Sequence, residues 1–146
     1  MKLRDLLAKV PNISQMPAEA VLDLEVTGLS TNSHACKAGD LFIGMPGTRV
    51  DGGTFWQSAI ASGAVAAVIS QSAAQKQPPT EEDPVISVAN MTEACAELAA
   101  AFSGYPAKQL QMVGVTGTNG KTTTTHLVEY LLNQNPVALL GTLYTR

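Results

Sequence analysis

The sequence predicts an α/β fold, and three observations support this prediction. Short apolar segments of strand length alternate along the chain with segments that have the apolar periodicity of helices. Glycine and proline separate these segments at positions typical of turns. A glycine-rich stretch, TGTNGK, stands between an apolar segment and a helix, as in nucleotide-binding α/β units. With 45% hydrophobic residues among 146, the chain can bury a core.

The first predicted elements are a helix and two extended segments. Residues 3–10, LRDLLAKV, have the periodicity of a short amphipathic helix that ends near Pro11. Residues 25–33, EVTGLSTNS, alternate in polarity and contain a glycine, which favours an extended segment at a sheet edge. Residues 41–47, LFIGMPG, indicate an apolar strand followed by a Pro-Gly turn.

A helix, a strand and a loop are predicted next. Residues 55–64, FWQSAIASGA, indicate a short helix with Gly63 near its C-terminal cap. Residues 65–70, VAAVIS, indicate a buried strand. The polar and proline-rich residues 71–84, QSAAQKQPPTEEDP, are expected to form a surface loop.

Another strand and a longer helix follow this loop. Residues 84–90, PVISVAN, indicate the strand. Asn90 and Glu93 have the offset of a capping box and open a helix over 91–102. Because this helix ends at a Ser-Gly-Tyr-Pro stretch, residues 103–108 are the predicted boundary between two units.

The second predicted unit is a single βαβ arrangement. It consists of an apolar strand at 111–115, the glycine-rich loop, a helix at 122–135 and an apolar strand at 137–143. A unit of about 40 residues is near the lower limit for independent stability. We expect the last strand to have few neighbours, which would leave an exposed apolar edge.

Charge and composition argue against several classes of partner. The net charge is −3 and no run of Lys or Arg forms a basic stripe, so nucleic acid and anionic membranes are not expected partners. The N-terminal apolar stretch is too short and too charged for a secretory signal, and no apolar run approaches the roughly 18–20 residues that span a bilayer. Cys36 and Cys95 fit no metal-ligand spacing and are interpreted as reduced thiols of a cytoplasmic protein.

The glycine-rich loop departs from the usual phosphate-binding template, because Val115 stands where the first glycine is expected. Gly117 and Gly120 can still adopt positive φ angles, so that backbone N–H groups converge on an anion at a helix N-terminus. Lys121 can reach the β- and γ-phosphates as a point charge, and Thr122 presents a hydroxyl where Mg²⁺ would bind. The alternative is a glycine-rich βα turn with an incidental lysine.

Four consecutive threonines open the helix that follows the loop. Thr122 and Thr123 are assigned to the nucleotide, whereas the next two are assigned to the structure of the helix. His126 is interpreted as a packing or surface residue. Helical spacing predicts a core face made of Leu127, Val128, Leu131 and Leu132.

The motif TGTNGKTTT, residues 116–124, strongly resembles the ATP loop of the Mur ligases and their relatives, which include folylpolyglutamate synthase and cyanophycin synthetase. Upstream, residues 31–70 resemble the N-terminal domain of the MurE-type members of this family, through Gly39-Asp40-Leu41-Phe42 and Asp51-Gly52. The likeness continues into Gly141-Thr142. It covers essentially the whole chain, but only the front of a three-domain protein.

This resemblance implies two domains and assigns residues to each. Residues 1–106 would form a mixed-sheet domain that binds a UDP-linked substrate, and residues 107–146 the first βαβ unit of a P-loop ATP-binding domain. His34 stands where the family commonly has an arginine, so the contact at this position is left open. The implied substrate-binding residues are Thr31, Ser33, Thr48, Arg49 and Val50. The implied ATP loop consists of Gly117, Thr118, Asn119, Gly120, Lys121, Thr122 and Thr123, with Lys121 as the catalytic residue and Thr122 as a metal ligand.

Several residues near these positions have alternative interpretations. Arg49 either pairs with a phosphate or is a solvated loop charge. Asp40 and Asp51 border turns and are read as structural. Phe55 and Trp56 are expected in the core rather than stacked on a base.

The family reaction implied by the resemblance is an ATP- and Mg²⁺-dependent ligation in cytoplasmic peptidoglycan synthesis. A substrate carboxylate is phosphorylated by ATP, and an amino-acid amine then attacks the acyl phosphate. The implied substrates are UDP-N-acetylmuramoyl-L-alanyl-D-glutamate and an amino acid, with meso-diaminopimelate preferred over lysine. The family's Mg²⁺-binding glutamate and C-terminal domain would lie beyond Arg146, so we expect an N-terminal piece that is inactive without the missing C-terminal part. The alternatives are a MurF-type or cyanophycin-synthetase-like ligase and a non-catalytic nucleotide-binding module.

Overall fold

A computed structural model of the chain describes residues 1–132, 134 and 136–141. The chain divides into two compact units, Met1–Gln109 and Leu110–Arg146. A five-stranded sheet with the strand order β1-β5-β4-β3-β2 forms the centre of the first unit. Its strands are β1 (Ile13–Gln15), β2 (Gly28–Ser30), β3 (Asp40–Ile43), β4 (Ala66–Ser70) and β5 (Val85–Val88).

The sheet is mixed, as the resemblance implies. The four strands β2 to β5 are parallel to their neighbours, whereas β1 pairs antiparallel with β5 at one edge. Ser30 of β2 lies opposite Phe42 of β3, and Ile43 lies opposite Val68 of β4. The carboxyl ends of these neighbouring strands therefore open onto one edge of the sheet.

Five α-helices connect and cover the strands of the first unit. The helices are α1 (Leu3–Leu7), α2 (Glu19–Leu22), α3 (Trp56–Ala61), α4 (Gln71–Lys76) and α5 (Met91–Phe102). Short 3-10 turns lie at Gly52–Phe55 and Pro106–Lys108. The bounds of α5 are those predicted from the sequence.

Both faces of the sheet are buried, because successive side chains of a strand point to opposite faces. On one face, Leu41 and Ile43 belong to a core that includes residues of α1 and α5. On the other face, Phe42 belongs to a core that includes Trp56 and Ala59 of α3. This two-sided burial explains why the parallel strands read as continuous apolar runs.

The predicted surface loop over 71–84 is wrong in its first six residues, which form α4. The Oγ of Ser70 accepts a hydrogen bond from the N–H of Ala73 at 2.9 Å, which caps the N-terminus of the helix. Ala73 is fully buried, so α4 is held by packing as well as by its cap. Two further elements, β1 and α2, were not predicted, because three or four residues are too few to show a periodicity.

A cluster of charged side chains joins α1 to α2. Lys2 Nζ and Arg4 Nε donate to Asp23 Oδ1 at 3.2 and 3.1 Å, and these bonds hold the pKa of Asp23 below its ordinary value. The same hydrogen bond to Asp23 raises the pKa of Arg4. Any stabilisation from Asp23 is present above the ordinary carboxyl pKa and is lost as the pH falls, because the carboxylate becomes protonated. The groups are exposed, so the contribution is small.

Replacing Asn90 by alanine should lower the free energy of unfolding of the chain by about 1 kcal/mol. The Oδ1 of Asn90 accepts a hydrogen bond from the N–H of Glu93 at 3.2 Å, and without it this N–H at the start of α5 loses its partner. Urea denaturation would measure the change. Asn90→Asp retains an acceptor and should stay close to the unsubstituted chain, and equal losses in the two variants would contradict the capping role.

In the second unit, the structure describes one helix, α6 (Lys121–Leu131). The predicted strand at 111–115 is wrong, because these residues form no strand. Residues 137–141 form no strand either, although Leu140 takes part in an isolated β-bridge. The remainder of the predicted strand at 142–143, with Thr142 of the Gly141-Thr142 pair, lies outside the described residues. A parallel strand needs neighbours that satisfy its N–H and C=O groups, and the described part of this unit supplies none.

The predicted core face of α6 is also wrong for the part of the chain that the structure describes. Leu127, Leu131 and Leu132 are exposed, with 58%, 77% and 42% of their surface accessible, and no residue of α6 is buried. Helical spacing identifies the apolar face correctly but does not show whether another element covers it.

Among the described residues, no helix is long and apolar enough to cross a bilayer.

Candidate functional site

Two loops leave the sheet at the carboxyl ends of the adjacent strands β2 and β3. The turn over 31–36 follows β2, and the loop over 44–51 follows β3. Because β2 and β3 are parallel and paired, both loops start from the same edge of the sheet. In open parallel sheets this edge is the usual place for ligands. The fold thus brings the two predicted groups of substrate-binding residues, in 31–33 and 48–50, to one edge.

The turn after β2 is organised by Asn32. Its Oδ1 accepts a hydrogen bond from the N–H of His34 at 3.0 Å, and its carbonyl accepts from the N–H of Ala35 at 3.1 Å. The Oγ of Ser30 donates to the same carbonyl at 3.1 Å, and Cys36 Sγ lies 3.4 Å from it. These bonds fix the backbone around Ser33 without using its side chain.

Ser33 is one of two buried polar residues in the described part of the chain, with 7% of its surface exposed. Its hydroxyl makes no hydrogen bond with any described residue. No side-chain oxygen of a described residue is both fully enclosed and without a partner, so the Ser33 hydroxyl keeps access to solvent. It is a fixed donor and acceptor whose bonds are available to a ligand.

The loop over 44–51 folds back on itself. Its base closes through an antiparallel bridge between Pro46 and Asp51 and a bond from Gly52 N to Met45 O at 3.0 Å. A Cβ at Gly44 would collide with the backbone of Gly53, so only glycine permits this close approach of the two limbs.

The tip of this loop carries Thr48, Arg49 and Val50, all of which are exposed. Arg49 forms no ion pair within the part of the chain that the structure describes, so its guanidinium can bind an anion. Thr31, at the other loop, is exposed as well.

The carboxylates of Asp40 and Asp51, at opposite ends of β3 and the loop that follows it, have structural roles, as predicted. Asp40 Oδ2 accepts a hydrogen bond from Lys37 N at 2.9 Å, and Asp51 Oδ1 accepts one from Gly53 N at 2.9 Å. The core prediction is confirmed for Trp56, which is 4% exposed, and wrong for Phe55, which is 46% exposed. Phe55 lies at the end of the 3-10 turn and does not belong to the apolar cluster that contains Trp56.

The glycine-rich loop of the second unit has the predicted backbone angles. Gly117 has a φ of 142° and Gly120 a φ of 77°, values that residues with a Cβ rarely adopt. Nothing within 4 Å would meet a Cβ at Gly120, so the backbone conformation, not space, requires glycine there. Lys121 Nζ donates a hydrogen bond to the carbonyl of Gly117 at 2.6 Å and bridges the loop.

The backbone N–H groups of residues 116–123 have no hydrogen-bond acceptor among the described residues. The N–H of Thr124 is the first in α6 that is paired, to the carbonyl of Gly120 at 2.8 Å. Gly120 is the N-cap of α6 and cannot supply a side-chain cap. A row of free donors therefore lies at the positive end of an eleven-residue helix, which favours an anion.

Three further polar side chains of α6 have partners within the helix. His126 Nδ1 and Glu129 Oε2 lie 3.4 Å apart, and His126 is half-buried, which agrees with a packing or surface role. Thr125 Oγ1 donates to the carbonyl of Thr122 at 2.9 Å, so it serves the helix as predicted. Among the described residues, no group of three or more His, Cys, Asp or Glu is placed to hold a metal ion.

Sequence reasoning missed Ser70 as a residue of this region. Its Oγ donates to Asp51 Oδ2 at 2.7 Å and thus joins the end of β4 to the loop after β3. A serine directly before the helix-forming sequence QSAAQK is an N-cap signal, and this could have identified α4. The bond to Asp51 has no sequence signal, because the two residues are 19 positions apart.

Two protein-family models match this chain, and each match lies within one of the two structural units. Residues 25–103 match the model of the Mur ligase family, catalytic domain, and residues 115–146 match the Mur ligase middle domain. A UDP-N-acetylmuramoyl-L-alanyl-D-glutamate–2,6-diaminopimelate ligase from Trichormus variabilis is 64% identical over all of this chain and 30% of that protein.

Two solved structures are also similar. One is a UDP-N-acetylmuramoyl-L-alanyl-D-glutamate–2,6-diaminopimelate ligase that is 20% identical in sequence. It superposes with a TM-score of 0.66, and the match covers all of this chain and 28% of the ligase chain. At this identity the comparison shows a likeness of fold alone. The other is the MurF ligase from Thermotoga maritima in complex with ADP, which is 25% identical in sequence and has a TM-score of 0.50. The match covers 80% of this chain and 25% of the MurF chain.

The chain spans about 30% of the length of the curated relatives it matches. The catalytic-domain model of the family nevertheless matches more than half of the residues of this chain. The match to the middle-domain model includes the glycine-rich loop. The chain therefore belongs to the Mur ligase family.

Proposed function

We propose that this chain is the N-terminal part of an ATP-dependent ligase that acts in the cytoplasm in peptidoglycan precursor synthesis. The ligase adds meso-diaminopimelate to UDP-N-acetylmuramoyl-L-alanyl-D-glutamate. Residues 1–106 bind the UDP end of this substrate, and residues 107–146 begin the ATP-binding domain. The 64% identity to a relative named for this activity supports the choice of substrate and amino acid. The observation that carries the proposal is the row of unpaired N–H groups from 116 to 123 at the start of α6.

ATP fits the second unit because the loop offers what a triphosphate needs. The free N–H groups and the N-terminus of α6 attract the phosphates, and Lys121 adds a positive charge beside them. Lys121 Nζ already lies against the loop, where it donates to the carbonyl of Gly117 at 2.6 Å. A bound β- or γ-phosphate would replace this carbonyl as its partner. The ADP bound to the Thermotoga maritima MurF ligase is consistent with a nucleotide in the related fold.

Mg²⁺ fits this site through the nucleotide rather than through a cluster of carboxylates. Mg²⁺ in phosphate-transfer sites keeps waters and phosphate oxygens among its ligands, so one protein oxygen can suffice in this part of the site. Thr122, exposed in the first turn of α6, would provide that oxygen. The ion neutralises charge on the phosphates when it is bound.

The UDP moiety fits the edge where the loops after β2 and β3 begin. Ser33 offers a solvent-accessible hydroxyl on a fixed turn, and the exposed Arg49 offers a guanidinium for the diphosphate. Thr31, Thr48 and Val50 complete the proposed contacts. Catalysis then depends on how the whole ligase positions the substrate carboxylate beside the γ-phosphate.

The proposal is tested by the affinity of the chain for UDP-N-acetylmuramoyl-L-alanyl-D-glutamate, measured by calorimetry. We expect Ser33→Ala to weaken binding roughly five- to tenfold, the cost of one hydrogen bond of about 1 kcal/mol or slightly more. Ser87→Ala is the matched control, because Ser87 is the other buried serine, 4% exposed, within strand β5. Equal binding by the Ser33→Ala variant and the unsubstituted chain would remove Ser33 from the site.

A further inference from the structure

The loop that carries Thr48, Arg49 and Val50 has little support of its own at its tip. Residues 46–50 are exposed, and within the described chain the tip is closed only by a bond from Gly47 N to Val50 O at 3.1 Å. The direction in which these side chains point therefore depends on how the two limbs of the loop are attached to the sheet.

The two limbs are attached in different ways. The incoming limb is held by the backbone, because Gly44 N donates to the carbonyl of Val68 in β4 at 2.9 Å. The outgoing limb is held by a side chain, because Asp51 Oδ2 accepts the Ser70 hydroxyl at 2.7 Å. Both attachments reach the same strand, β4, so the loop is pinned at two points of one rigid element.

Asp51 also organises the chain that follows it. Its Oδ1 accepts from Gly53 N at 2.9 Å, and its carbonyl accepts from the N–H and the Oγ1 of Thr54 at 3.1 and 2.7 Å. These bonds set the start of the 3-10 turn, so that the same carboxylate joins the loop, the turn and the sheet.

Ser70 is itself well fixed. It is the last residue of β4, it lies opposite Val88 of β5, and its Oγ accepts from Ala73 N at 2.9 Å as the cap of α4. The hydroxyl has one proton, which it gives to Asp51, so Asp51 must act as the acceptor. A hydrogen bond to a charged carboxylate is stronger than one between neutral groups.

We propose that Asp51 and Ser70 are positioning residues that hold the 46–50 loop in the geometry required for the UDP-linked substrate. Neither residue touches the substrate in this proposal, and both act through Thr48, Arg49 and Val50. The inference rests on the proposed function of this loop and adds the device that orients it. Without the bond, the outgoing limb loses its hydrogen bond to β4 and keeps only its backbone bonds to the incoming limb and its packing, so the tip samples other directions, which lowers affinity.

The test measures affinity of the 146-residue chain for UDP-N-acetylmuramoyl-L-alanyl-D-glutamate by calorimetry, well below the unfolding temperature of each variant. We expect Asp51→Ala and Ser70→Ala each to weaken binding roughly fivefold or more. Ser70→Thr keeps a hydroxyl and should restore affinity to within about twofold, which a role of Ser70 in packing alone would not predict. Asp51→Asn keeps an acceptor for Gly53 N, and its amide N–H can donate to the remaining lone pair of Ser70 Oγ, so its affinity should lie between those of Asp51→Ala and the unsubstituted chain.

Asp40→Ala is the matched control. Asp40 makes the same type of bond, from Lys37 N to its Oδ2 at 2.9 Å, but at the opposite end of β3. We expect this variant to lose stability and yet to bind the UDP-linked substrate within about twofold of the unsubstituted chain. A lower stability by itself leaves the affinity of the folded molecules unchanged, so the two effects are separable.

Two results would overturn the inference in different ways. If Asp51→Ala and Ser70→Ala fold and bind as the unsubstituted chain does, while Ser33→Ala binds weakly, the positioning role is wrong and the proposed substrate site stands. If the unsubstituted chain does not bind the UDP-linked substrate, the proposed function of the loop and the inference both fall.

Discussion

Replacing Lys121 by alanine should reduce ATP-dependent amide formation at least about a hundredfold in a ligase of the relatives' length that begins with this sequence. A charge-assisted hydrogen bond to phosphate contributes roughly 1.5–3 kcal/mol to binding alone, and Lys121 would contact charge that develops during phosphoryl transfer as well. Its amino group lies within the loop, 2.6 Å from the carbonyl of Gly117. Release of phosphate that depends on the UDP-linked substrate and diaminopimelate would measure the loss.

Lys76→Ala is the control for the loss of a lysine. Lys76 is exposed at the last turn of α4, in the first unit, and its replacement should leave turnover unchanged. The Lys121→Ala variant should bind the UDP-linked substrate as before, because that site is assigned to the first unit. Unchanged turnover in Lys121→Ala would end the interpretation of TGTNGK as a triphosphate loop.

Phe42→Ala should lower the free energy of unfolding of the chain by roughly 3–5 kcal/mol. Phe42 is 1% exposed in the middle of β3 and belongs to the apolar cluster of Trp56, Ile69 and Val85. Its removal leaves a cavity between the sheet and α3 that these neighbours cannot fill without moving. Urea denaturation of the variant and of the unsubstituted chain, monitored by far-ultraviolet circular dichroism, would measure the difference.

Phe55→Ala is the matched control, because it makes the same chemical change at an exposed position. Phe55 is 46% exposed, and we expect its replacement to cost about 1 kcal/mol or less. The comparison separates burial from residue type, because both variants remove the same ring. A loss at Phe55 as large as that at Phe42 would contradict the assignment of Phe42 to the core and Phe55 to the surface.

Much of the first unit could be predicted from local patterns. Helix α5 has an apolar spacing over twelve residues and a capping residue, Asn90, and its predicted and observed bounds agree. Strands β3 to β5 are continuous apolar runs between turn residues, a pattern typical of strands covered on both faces. Where the pattern was short or polar, prediction failed. Strands and helices of three or four residues, such as β1 and α2, show no periodicity, and α4 depends on its Ser70 cap and on the burial of Ala73.

The second unit shows a different limit of sequence patterns. The positive φ angles of Gly117 and Gly120 follow from local chemistry and were predicted correctly. The strand at 111–115 and the core face of α6 were wrong because both require elements that cover them. The residues proposed to bind UDP, ATP and Mg²⁺ stay predictions until the binding experiments are done.

The sequence by itself determined the α/β alternation, the family and the glycine-rich loop that is proposed to bind phosphate, because each depends on residues that are close together along the chain. Only the tertiary structure decided that the turn around Ser33 and the loop around Arg49 leave one sheet edge, which follows from the parallel pairing of β2 and β3. It also decided that Asp51 meets Ser70, 19 residues away. A hydrogen bond of this kind requires β3 and β4 to be neighbours, and no local pattern of residue types records which strands will be neighbours.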